Sequence, residues 1–117
     1  MTPGPDADPL HLELILERIR LIKKSVDSLD YASFVTDADK VDSTAFRLSN
    51  IGESSRKLSS ELKRRHGDVP WESIYRLRNI IVHAYEAVKP GLIWEIATTQ
   101  LGSLEAVCRA ELDRLGG

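Results

Sequence analysis

Leu12, Ile15, Ile19, Ile22 and Val26 recur at intervals of three and four residues. This is the spacing that lines one face of an α-helix, and it leaves no room for the strict alternation of a strand. The same rhythm returns in Val41, Ala45, Leu48, Ile51, Ser55, Leu58 and Leu62. It returns again in Trp71, Ile74, Leu77, Ile81, Ala84 and Val88, and from Ile93 through Ile96, Ala97, Leu101, Leu104, Val107 and Cys108 to Leu112. Four amphipathic segments with short connections predict an all-α, antiparallel four-helix bundle.

The expected boundaries follow local signals. Asp8 is placed as the N-cap of the first helix and Pro9 at its first turn, with the helix fading near Leu29. The stretch DYASFVTDAD reads as a connector, and Asp37 or Asp39 caps the second helix, which closes on KRRHG with Gly67 as its stop. Pro70 opens the third helix, KPG breaks it, and a fourth runs from about Leu92 to Leu115. Residues 1–117 form a single domain in this reading, with 1–8 flexible.

A chain of 117 residues buries roughly 65% of its unfolded surface, enough for a core without metals or disulfides. With 42% apolar and 29% charged residues, the composition is that of an ordinary folded domain. Sixteen Lys and Arg against 18 Asp and Glu give a net charge of −2, not the global basicity of a dedicated nucleic-acid binder. The cations are nonetheless uneven: Lys63, Arg64, Arg65, Arg76 and Arg78 face only Asp68 and Glu72 between residues 63 and 83. The lone Cys108 falls among apolar helix positions and reads as a small buried hydrophobe. No apolar run approaches the roughly 20 residues that span a bilayer, and MTPGPDADP lacks the features of a signal peptide. The expected location is the cytoplasm, with no membrane partner.

RNIIVHAY, Arg78 to Tyr85, interleaves a cation, an amide, an imidazole and a phenol with the apolar stripe. On a regular helix Arg78 and Tyr85 share a face two turns apart, and Asn79 and His83 share another. Arg78 and His83 diverge by roughly 140°. Convergence of Arg78 and His83 on one substrate therefore requires a distorted helix or a second copy of it. The residue types suit phosphodiester cleavage. The Arg78 fork matches phosphate oxygens, and the His83 imidazole exchanges a proton near neutrality. Asn79 is suited to orienting His83 or holding phosphate. No metal-ligand spacing occurs, so no metal or other cofactor is expected. The competing account is structural: Arg78 paired with a carboxylate, His83 a satisfied core histidine, Tyr85 packed at a seam edge. His11 and His66 are assigned to the solvated surface.

Three segments carry a family likeness. NIGESSRKLSSEL (Asn50 to Leu62), VPWESIYRLRNIIVHAY (Val69 to Tyr85) and GLIWEIATTQLGSL (Gly91 to Leu104) resemble, in order, the motifs of the HepT-like family, a branch of the all-helical HEPN superfamily. The resemblance implies a HEPN-like bundle that acts as a homodimeric, metal-independent ribonuclease toxin on RNA, encoded beside a nucleotidyltransferase antitoxin. It implies that Arg78 and His83 are catalytic, that Asn79 and Glu53 support them, and that Tyr85 accepts AMP from the antitoxin. Arg76 stands where the family usually has a small residue, and Ala84 where it has glycine. Gly52 lets another helix approach closely, and Glu53 suits either Arg56 and Lys57 or the positioning of Arg78. A different class of function is a catalytically silent helical module that binds the nucleotidyltransferase.

Overall fold

A computed structural model describes residues 4–116. The described residues are all-α: seven helices, α1 (Asp8–Val26), α2 (Tyr31–Val35), α3 (Ala38–Arg56), α4 (Ser60–Arg65), α5 (Trp71–His83), α6 (Pro90–Thr99) and α7 (Gly102–Gly116), with 3-10 turns at Pro5–Ala7 and Tyr85–Ala87. Of the residues 1–8 expected to be flexible, 1–3 lie outside those described, Pro5–Ala7 form a turn, and Asp8 is buried.

The expected first stripe is the centre of the core. Leu12, Ile15, Ile19 and Ile22 are fully buried. α3 lies between α1 and α5, and α7 packs along α1. The third stripe is shallower: only Ile81 of α5 is buried, while Trp71, Ile74 and Leu77 are half-buried. One flank of α5 therefore stays open to solvent.

The expected layout changes in three places: the connector holds a helix, and the second and fourth segments are each split. The connector contains α2, whose N-cap Asp30 accepts from Ser33 N at 2.8 Å and whose Phe34 is fully buried against Trp94, ring centroids 5.2 Å apart. Asp37, not Asp39, caps α3 through Lys40 N. The second helix does not run on to Gly67. It stops at Arg56 and restarts as α4 under the N-cap Ser59. Asp8 explains the break. Its carboxylate does not cap its own helix but reaches Ser59, accepting from the backbone N at 2.8 Å and from Oγ at 2.6 Å. A buried carboxylate with two donors is satisfied there, and it fixes the turn between α3 and α4.

The fourth segment begins at Pro90 and splits at Gln100–Leu101. Just before the split the hydroxyls of Thr98 and Thr99 bond back to Trp94 O and Glu95 O, at 2.8 and 2.6 Å. Such back-bonding by paired β-branched residues weakens and bends a helix end. Cys108 is fully buried, as expected, and burial pushes its thiol up to about 12.

Neither His11 nor His66 lies on the solvated surface. His11 is half-buried against the α3–α4 turn. Its Nδ1 is buried without a partner, and desolvation, then Lys57, lowers its pKa. His66 is also half-buried, its Nε2 at 2.7 Å from Glu111 Oε2. Glu111, which no apolar stripe predicts, is 3% exposed and also holds Arg65 at 2.7 Å.

Candidate active site on α3 and α5

The site is built where α3 and α5 touch, and Gly52 sets the distance. A Cβ on Gly52 would stand 2.5 Å from Arg78 Cβ and 3.1 Å from Ile74 O, closer than packed atoms approach. Only glycine lets the helices come this near, which places the next residue, Glu53, beside Arg78. Arg78 Nε lies 3.2 Å from Glu53 Oε2, and Arg78 Nη1 donates to Asn79 Oδ1 at 2.9 Å. Glu53 also takes Arg56 Nη2 at 2.7 Å and lies 3.9 Å from Lys57 Nζ. The Arg56 hydrogen bond, outweighing partial burial, holds the Glu53 carboxyl below the usual range. Glu53 thus contacts Arg56 and Lys57 on its own helix and Arg78 on α5 at once.

Tyr75 completes the arrangement. The guanidinium carbons of Arg56 and Arg78 lie 5.8 and 5.9 Å from its ring centroid, within cation–π range. Tyr75 was missed in the sequence, although its place three residues before Arg78 was a readable signal.

His83 is the last residue of α5 and is exposed, not a core histidine. The helix is regular through His83, so no distortion brings it to Arg78. The chain turns only at Ala84, with φ −149° and ψ 47°. Asn79 is spent on Arg78, and no hydrogen bond among the described residues links it to His83.

Tyr85 does not share a helix face with Arg78, because α5 has already ended. It sits in the following 3-10 turn and donates to Asp42 Oδ1 near the start of α3, at 2.5 Å. Burial first, then the Asp42 hydrogen bond and charge, pushes its phenol up to about 12. Nothing local to RNIIVHAY announces Asp42, which lies 43 positions away in sequence.

Phe46, Ile80 and Val82 are 62%, 41% and 51% exposed, and Phe46 and Val82 line one shallow depression with Tyr85. Among the described residues no group of three or more His, Cys, Asp or Glu side chains is placed to hold a metal ion, and no helix is long and apolar enough to cross a membrane.

Comparison with known proteins identifies the family. Residues 15–111 match the family described as "Ribonuclease HepT-like". A Thermococcus cleftensis protein named "Probable ribonuclease HepT" is 30% identical over 95 residues, covering 81% of this chain and 86% of its own. A protein of Caldanaerobacter subterraneus subsp. tengcongensis, provisionally named an RNase, is 30% identical over 104 residues, covering 89% and 88%. No solved structure matches the chain. With the family matched from the middle of α1 to α7, the chain belongs to the HepT-like ribonucleases of the HEPN type.

Proposed function

We propose that this chain is the toxin of a toxin–antitoxin pair, a metal-independent RNA endonuclease that works as a homodimer. The observation that carries the reading is the array where Glu53 of α3 meets Arg78 and Asn79 of α5, with an exposed His83 five residues beyond Arg78, in a chain of this family. Glu53 and Asn79 fix the guanidinium through Nε and Nη1, and Nη2 has no partner among the described residues. A preorganised fork of this kind can face a phosphate and stabilise the charge gathering on its oxygens.

His83 supplies the proton transfer. A ribose 2′-oxygen attacks phosphorus as it loses its proton to a general base, and the P–O5′ bond breaks as that oxygen is protonated. The products are a 2′,3′-cyclic phosphate and a free 5′-hydroxyl, with no co-reactant. Because Arg78 and His83 diverge on a regular helix, two protomers meeting at α5 would let both pairs serve a shared groove. The exposed Ile80 and Val82 on the helix that ends at His83, and the exposed Phe46 that shares a depression with Val82, support that interface.

Tyr85 is the proposed acceptor of AMP from a nucleotidyltransferase antitoxin, on its match to the family's modified tyrosine. The adduct would replace the proton that Asp42 now accepts and set a phosphate against that carboxylate. Repulsion would then expel the Tyr85 turn from α3 toward the proposed dimer face, so inhibition would act on the interface.

The test is cleavage of RNA by purified protein in EDTA. Wild type should cut, and Arg78→Ala and His83→Ala should each lose at least two orders of magnitude. Folded wild type that never cuts RNA but copurifies with its nucleotidyltransferase would favour the silent module instead.

A further inference from the structure

A second feature adjoins the array. Between the end of α3, α4 and the first half of α5 lies an open cleft of about 530 Å³. This is within the range of sites for small organic ligands, roughly 300–1,000 Å³. Its lining is cationic and aromatic, with Arg56, Lys63 and Arg76 around Trp71 and Tyr75. Trp71 and Tyr75 are one turn apart on α5, so both rings stand on one wall. The Trp71 ring is anchored by Nε1 donating to His66 O at 3.0 Å.

The cations are short of counter-charge. Lys63 Nζ donates to Arg56 O at 3.0 Å, which holds its ammonium close to the Arg56 guanidinium. Burial, then Arg56, lowers the Lys63 pKa. Arg76 is exposed and makes no ion pair among the described residues. Glu72 is the one carboxylate of the lining, and Glu53, at the margin, is already shared by Arg56, Lys57 and Arg78. Ser55 supplies an independent sign of a ligand. It belongs to the lining, is 2% exposed, and its hydroxyl has no hydrogen-bond partner. A buried hydroxyl without a partner is costly unless something supplies one.

We propose that this cleft binds one nucleotide of single-stranded RNA, its phosphate on Arg56, Lys63 and Arg76 and its base stacked against Trp71 and Tyr75. The proposal rests on the ribonuclease reading and extends it to a subsite beside the cut. Asn79 joins the two, because it lines the cleft and its Oδ1 receives Arg78. A strand whose scissile phosphate met Arg78 would place its neighbouring nucleotide in the cleft. Unstacked bases on aromatic rings with a cationic track for the backbone are the general physics of single-strand recognition. Glu72 would accept from a base amino group, favouring adenine, cytosine or guanine over uracil.

The experiment measures binding, so that it does not depend on cleavage. A fluorescein-labelled RNA heptamer of mixed sequence is titrated by anisotropy into the full-length His83→Ala protein, with AMP titrated separately. Adding Arg76→Ala or Lys63→Met should weaken RNA binding about threefold to tenfold and make its salt dependence shallower by about 0.7 in log–log slope. Tyr75→Leu should weaken it about tenfold or more, and Tyr75→Phe should restore it. An oligouridine probe should bind more weakly than oligoadenosine, and Glu72→Gln should narrow that difference.

Because Arg76 is exposed and unpaired, its removal is expected to leave the fold intact, which circular dichroism would verify. Equal RNA affinity in Arg76→Ala, Lys63→Met and Tyr75→Leu would overturn the cleft while leaving the ribonuclease reading intact. Binding of AMP but not of RNA would overturn the RNA assignment. Wild type that fails to cut RNA, with binding still lost in these variants, would overturn the ribonuclease reading and not the cleft.

Discussion

Tyr85 donates its phenolic proton to Asp42 across the gap between the end of α5 and the start of α3, at 2.5 Å. The phenol is the group proposed to accept AMP, and in that role Asp42 would control how readily it becomes a nucleophile. Asp42→Asn removes the negative charge and should lower the phenol from about 12 toward its ordinary value. Ultraviolet titration of tyrosinate, compared with Tyr85→Phe to assign the signal, measures the shift. The sign for stability follows. A phenol whose folded pKa lies above its unfolded value contributes fully below about pH 10. That contribution is lost as pH rises through about 12. Wild type should therefore lose urea resistance over this window more steeply than Tyr85→Phe. Coincident curves would mean that the raised phenol contributes nothing to stability.

Gly52→Ala tests the α3–α5 contact. The added methyl meets Arg78 Cβ and the backbone carbonyl of Ile74, neither of which is the free end of a flexible chain. The helices must part, at about 1–3 kcal/mol by the usual cost of overpacking. The Glu53–Arg78 bridge should open with them. RNA cleavage is expected to fall by more than the stability loss alone explains, assayed well below the variant's melting temperature. Unchanged stability would mean that the contact is slack.

Phe46→Glu and Val82→Glu address the proposed dimer. Both side chains are more than half exposed, so a charge costs the isolated protomer little. In a two-fold interface the same carboxylate would be duplicated and desolvated. Sedimentation at micromolar concentration should show dimers for wild type and monomers for these variants, with cleavage lost in parallel. A wild type that is monomeric and fully active would defeat the shared-groove arrangement.

Glu111→Gln probes the polar latch between α7 and the end of α4. The Arg65 hydrogen bond, then His66, holds the Glu111 carboxyl below the usual range against the opposing effect of burial. A depressed carboxyl gives stability that is present above its unfolded pKa and lost as pH falls through the folded one. Wild type should thus lose its advantage over Glu111→Gln in the acid range below about pH 4.3. At neutral pH the variant should be less stable by about 1–2 kcal/mol, discounted because Arg65 can turn to water. Denaturant melts at pH 7 and pH 3 give both numbers.

The apolar rhythm of Leu12 to Val26 was enough to place the core, because a stripe of that length has one way to be buried. The breaks were not readable locally. Nothing near Ser59 says that the helix must stop there, since the carboxylate that holds the turn comes from Asp8, 51 positions earlier. The candidate site divides in the same way. Gly52, Glu53 and Arg78 were recognisable as residue types, and their meeting needed only two helices to cross. Tyr85 was assigned to the wrong surroundings because a periodic pattern cannot show that Ala84 ends the helix. Its partner Asp42 became visible only when the tertiary fold brought α3 alongside.

Asp42 and Glu53 are borne on the same uninterrupted helix, α3, eleven positions apart. At 1.5 Å per residue that helix acts as a rigid spacer of about 16 Å between the partner of Tyr85 and the partner of Arg78. If Tyr85 is the AMP acceptor proposed above, a nucleotidyltransferase reaching it would not have to displace a strand lying along the proposed track of Trp71, Tyr75 and Arg78. Under the proposed AMP modification, silencing would then not have to wait for a bound strand to leave.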